Sequence, residues 1–225
     1  MSRAVVLFDV LNTLVKERKD QSAFLEEAIR GIYGPTVSVK EGDYDGLGMK
    51  EAIERLLLQS GEDSAYVQAG LDRIIKEIPY SYYNVAGHDA IDVLGGAKEL
   101  LRELAKSDVA VGLATGLPKG VVENMMERAG IDMGQFSVSA YADSGKTMRD
   151  IVAAAATTAK ASLGTDRMFT VVSSAAAASA SKACDVAPIG VLTGRASEEQ
   201  MRQAGAAVVV NGLGDRKAIL KTVLG

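Results

Sequence analysis

Four places in the chain carry groups that could act on one substrate. Asp9 interrupts the apolar run "AVVLFDVLNTLV" and is followed closely by Asn12 and Thr13. Thr115 closes "VAVGLAT", Lys146 stands in "DSGKTMRD", and Ser173 and Ser174 follow "MFTVV". A carboxylate can attack an electrophilic centre and a hydroxyl can hold the group in transit, while a lysine neutralises developing charge. Such a set suits covalent displacement, provided the fold brings its members to one place.

The surrounding pattern predicts that it does. Residues 4–10 form a continuous apolar run with valines, the mark of a strand covered on both faces. From residue 85 onward helices and strands alternate. "AKELLRELAKS", "PKGVVENMMERAG", "MRDIVAAAATTAKASLG", "SEEQMRQAG" and "DRKAILKTVL" read as helices. "VAVGLAT", "FSVSAY", "MFTVV", "PIGVLTG" and "AAVVV" read as strands. This alternation predicts an α/β fold built on a parallel sheet with helices on both faces. Ligands of such sheets bind at the carboxyl ends of the strands, where Asp9, Thr115 and the segment after Val172 are expected. Between the first strand and this region, "SAFLEEAIRGIYG", "MKEAIERLLLQSG" and "SAYVQAGLDRIIKEI" give three helices with no strand between them, the last with Ser64 as its expected cap. They predict a helical insert over residues 16–84. The Ala- and Ser-rich stretch 153–183 reads as two helices packed through small side chains.

Composition narrows the classes. The net charge of −4 and pI near 5.2 argue against a nucleic-acid surface, which needs clustered Lys and Arg. One cysteine, Cys184, excludes an internal disulfide and fits a reducing compartment. The opening apolar run is too short to cross a bilayer and has no signal-type flank, so a soluble cytoplasmic protein with no membrane partner is expected. His88, the only histidine, reads as a solvated hinge residue, and one His with one Cys leaves no zinc set. Tyr80, Tyr82 and Tyr83 read as a packing cluster at the hinge, and Met125 and Met126 as core.

The order and spacing of Asp9, Thr115, Lys146 and Ser173-Ser174 resemble the haloacid dehalogenase (HAD) superfamily, mostly phosphatases, across the whole chain. "PIGVLTGRASEEQMRQAGAAVVVNGLGD" is similar to phosphoglycolate-phosphatase-like members, and "DYDGLGMKEAIERLL" resembles the start of their substrate-facing cap helix. The resemblance implies a Rossmann-like core, residues 1–15 and 85–225, with a helical cap at 16–84. It implies Asp9 as nucleophile, Thr13 as the threonine of the first motif, Thr115 as the phosphoryl-binding hydroxyl and Lys146 (or Arg149) as the phosphoryl-binding lysine. It also implies Mg²⁺ and a small phosphorylated or anionic substrate.

Several positions depart from the pattern. Leu11 stands where the superfamily has its acid/base Asp, and Asn12 replaces a glycine. Ser173-Ser174 stands for Gly-Asp, and Ala178 for the next metal-binding Asp, which leaves Asp9 as the one carboxylate of the set unless Asp143 or Asp150 substitutes. Loss of a positioned acid/base alone lowers rate by about 10² to 10⁴, and Mg²⁺ usually relies on one or two carboxylates. A weakly active or inactive phosphatase is therefore expected. The alternatives are a pseudoenzyme that binds or regulates, and a metal-independent 2-haloacid dehalogenase, whose last motif "VVSSAAAAS" resembles in part. The sequence predicts no oligomeric state.

Overall fold

A computed structural model describes residues 4–18, 22–34, 37–40, 42–86 and 91–225; His88 lies outside them. Strand β1 (Ala4–Phe8) is buried along its whole length. Its side chains alternate as a pleat requires: Val5 and Leu7 join one apolar cluster, Ala4, Val6 and Phe8 the other. With β4 (Val109–Ala114), β5 (Val138–Ala140), β6 (Met168–Val172), β7 (Ala187–Val191) and β8 (Val208–Val210) it forms a parallel sheet in the order β5-β4-β1-β6-β7-β8. Helices α4 (Ala97–Ala105), α5 (Lys119–Ala129), α6 (Met148–Leu163), α7 (Ala175–Lys182) and α8 (Glu198–Gln203) lie between strands, α9 (Arg216–Leu224) follows the last, and they pack around the sheet. The small side chains of 153–183 serve close packing: Ala155, Ala159, Ala177 and Ala178 are fully buried where α6 meets α7.

The helical insert comprises α1 (Ala23–Tyr33), α2 (Met49–Gln59) and α3 (Ser64–Val85). It is bracketed by two short strands that the sequence pattern does not predict. β2 (Val15–Glu17) and β3 (Ile91–Val93) pair antiparallel, with Val15 opposite Val93. Helix α3 also runs seven residues past the predicted end at Ile78, straight through Pro79. A proline inside a helix removes one backbone hydrogen bond. Here Ile78 and Tyr82 bury fully on either side of it, Phe24 meets the Tyr82 ring edge-on at 5.1 Å, and Pro79 lies against Gly120 of α5. Tyr80 and Tyr83 point to solvent, so only Tyr82 belongs to the packing cluster. The cap of α3 is Asp63 rather than Ser64; its carboxylate accepts from Tyr66 N at 3.0 Å. One apolar cluster runs from Phe24, Leu57 and Tyr82 of the insert to Phe8, Leu113 and Met125 beneath, which sets the insert firmly on the sheet.

Candidate active site

The parallel register places the mapped residues at one edge. Phe8 pairs with Leu113 on one side and Val171 on the other, so the residues that follow, Asp9, Ala114-Thr115 and Val172-Ser173, emerge together. Asp9 N donates to Val171 O at 3.0 Å, and Asp9 Oδ1 accepts from Val10 N at 2.8 Å. Beyond Asp9 the backbone turns tightly: the amides of Thr13, Leu14 and Val15 all converge on Val10 O. Asn12 sits in this turn at φ 57°, the left-handed region that asparagine tolerates better than most residues. That conformation accounts for an Asn where the HAD pattern has a glycine.

Asp9 is only 7% exposed, and burial pushes its carboxyl up to about 6. Thr115 and Val10 N pull the other way, and the charge of Asp45 adds a small upward push. The Thr115 side chain is close enough to stabilise the carboxylate, yet its fully buried Oγ1 makes no well-formed hydrogen bond. Thr13 Oγ1 is likewise buried without a partner, but Thr13 does not line the cavity over Asp9.

That cavity holds about 30 Å³, an order below the roughly 300–1,000 Å³ of ordinary ligand pockets. Asp9, Leu11, Asn12, Thr115, Ser173 and Ser174 form its floor, and residues 44–47 and Met49 of the insert form its roof. The roof is seated by glycines. A Cβ on Gly46 would overlap Ser174 Oγ, and one on Gly116 would overlap Leu47 O. Met49 N donates to Gly116 O at 2.9 Å across the same seam. A larger cleft, about 640 Å³, lies beyond β7 and β8 beside α9, with Glu103 and Arg216 paired at 2.9 Å on its wall; none of the mapped residues reaches it.

The remaining candidates are placed as follows. Ser173 Oγ reaches Leu11 O at 3.5 Å, a long contact. Ser174 caps α7, accepting from Ala177 N at 3.1 Å, and Ala178 is fully buried in the next turn. Lys146 does not line the cavity: its Nζ is held by both oxygens of Glu54 on α2, at 2.8 and 2.7 Å. Arg149, Asp143 and Asp150 are also absent from the lining. Asp143 instead accepts from Lys119 N at the start of α5 (3.0 Å), and Asp150 completes the capping box of α6 with Thr147, which holds its carboxyl below the ordinary value.

Asp45 is the residue that the sequence reading missed. It lines the cavity opposite Asp9 and pairs with Arg195 (3.6 Å) in the loop after β7. Its acid is visible in "DYDGLG", a stretch whose resemblance points only to the start of a cap helix. Among the described residues, neither a lysine nor an arginine lines the cavity.

The donor set does not fit Mg²⁺. No group of three or more His, Cys, Asp or Glu side chains gathers among the described residues. The Leu11 carbonyl faces Ser173, the Ser174 hydroxyl is engaged as a helix cap, and positions 11 and 178 present hydrocarbon.

No protein-family model matches the chain. The phosphoglycolate phosphatase of Vibrio parahaemolyticus is 28% identical over 128 residues, a match that spans 56% of this chain and 56% of that protein, so just over half the length of the curated relative is matched. A phosphate-bound crystal structure from Rhodobacter sphaeroides superposes with a TM-score of 0.72 at 20% identity, covering 96% of both chains. A haloacid dehalogenase-like family hydrolase from Streptococcus pneumoniae superposes with a TM-score of 0.61 at 14% identity, covering 97% of this chain and 98% of that one. The fold is that of the HAD-like hydrolases. Within that fold, the sequence is similar to phosphoglycolate phosphatases.

Proposed function

We propose that this chain is a HAD-fold, phosphatase-like protein that retains an Asp9-centred pocket for a small phosphorylated molecule but lacks efficient Mg²⁺-dependent turnover. One observation carries the reading: Leu11 flanks Asp9 in the cavity, with the Ser174 hydroxyl engaged as a helix cap and a buried alanine at 178. A hydrocarbon at 11 cannot protonate a leaving group or activate water, a loss of about 10² to 10⁴ in rate. Of the mapped metal positions only Asp9 carries a carboxylate, and Asp45 across the cavity is paired with Arg195, which weakens the carboxylate hold that Mg²⁺ relies on. Retained binding is supported by Thr115, which lines the cavity and whose buried hydroxyl makes no well-formed hydrogen bond, only a loose approach to Asp9. A buried polar group left unmatched is costly, and a ligand oxygen would satisfy it.

The test restores the missing groups. Leu11→Asp, Ser174→Asp and Ala178→Asp, made together, should raise Mg²⁺-dependent hydrolysis of an aryl phosphate by at least about 10². No gain in a variant that still melts cooperatively would count against the mapping of these positions.

A further inference from the structure

The cavity over Asp9 is at odds with an anionic ligand in the geometry described. Two carboxylates, Asp9 and Asp45, face it and no lysine or arginine lines it among the described residues. The cation that the sequence assigns to this role, Lys146, is near at hand but committed elsewhere. Its ammonium bridges from the loop after β5 to Glu54 on α2, and Gln68 of α3 donates to the same carboxylate. Glu54 is the less exposed partner, at 19% against 39% for Lys146, so the pair lies in the seam between insert and core. The same seam carries the Met49–Gly116 backbone bond and the contact of Gly46 with Ser174, and on its far side the Asp45–Arg195 pair.

We infer that the Lys146–Glu54 pair is an autoinhibitory latch: it holds the insert down over Asp9 and withholds from the pocket a lysine that could neutralise a bound phosphoryl group. The inference rests on the proposed pocket and adds its regulation. Seating the insert and masking the cation are one event, because Glu54 is on α2, whose first residue, Met49, is part of the roof. Lifting α2 removes the carboxylate from Lys146 and enlarges the cavity together. A dianionic ligand competes with Glu54 for the ammonium, and binding is weak while the pair persists.

The experiment titrates inorganic phosphate calorimetrically into the full chain as wild type, Glu54→Gln, Lys146→Met and Glu54→Gln/Lys146→Met, each first shown to melt cooperatively. Glu54→Gln should bind phosphate roughly tenfold more tightly than wild type, the factor that one charge-assisted contact to an oxyanion is worth. The double variant should lose that gain. The latch is overturned if Glu54→Gln binds no better than wild type, if the gain survives in the double variant, or if Lys146→Met alone abolishes tight wild-type binding, because Lys146 would then already be free. Failure of the underlying reading looks different: Mg²⁺-dependent turnover by the wild-type chain, whatever the phosphate affinities.

Discussion

Asp9 gives the site its character and also a cost. A carboxyl pushed from 3.8 to about 6 by burial is more easily protonated in the folded chain than in the unfolded one. Folding is therefore favoured by its protonation, and that contribution is full below pH about 3.8 and lost as pH rises through about 6. Asp9→Asn keeps the acceptor for Val10 N without the charge. Its stability advantage over wild type should be near zero around pH 4, grow to pH 6 and level off above, reaching no more than about 3 kcal/mol. Denaturant melts of both chains across this range measure it. A pH-independent difference would mean that Asp9 is solvated. The same residue shows what a sequence can disclose: a carboxylate ending a run of buried valines marks the site, whereas the partners it meets depend on folded geometry.

At the scale of elements, the fit of the 42–48 loop onto the core depends on Gly46, at φ 70° against Ser174. Gly46→Ala should cost about 1–2 kcal/mol from the left-handed backbone alone and should lift the loop from Ser174. Hydrogen exchange would then speed up in the loop and in the first turn of α7, while β1 stays protected. Unchanged exchange there would show that the seam is not set by this contact. The core strands were legible because five-residue apolar runs bounded by turns have few other uses. β2 and β3 were not: equally short β5 and β8 sit within apolar runs of the helix–strand alternation, whereas Lys16, Glu17 and Asp92 make β2 and β3 read as polar, and their pairing joins segments far apart in sequence. Helix α3 was cut short at Pro79 because local propensity stops there, and only the burial of Ile78 and Tyr82 carries it on to Val85. Lys146 was legible as a nearby cation but not as Glu54's partner, which needs α2 folded over the loop. Asp45 was hidden for the same reason.

Across the whole molecule, the proposed reading is of a HAD-like fold kept while the groups that would turn over a phosphate ester are replaced. The sheet edge, the tight turn after Asp9, the buried Thr115 and the overlying helices are all present. Hydrocarbon stands at 11 and 178, and no helix among the described residues is long and apolar enough to cross a membrane. The insert narrows the pocket to about 30 Å³, so a ligand of ordinary size must move it. The most direct measurement is steady-state hydrolysis of phosphoglycolate and an aryl phosphate by wild-type protein with millimolar Mg²⁺, beside Asp9→Asn. The account predicts that the two chains are indistinguishable at background rate. Mg²⁺-dependent turnover by wild type that disappears in Asp9→Asn would contradict it.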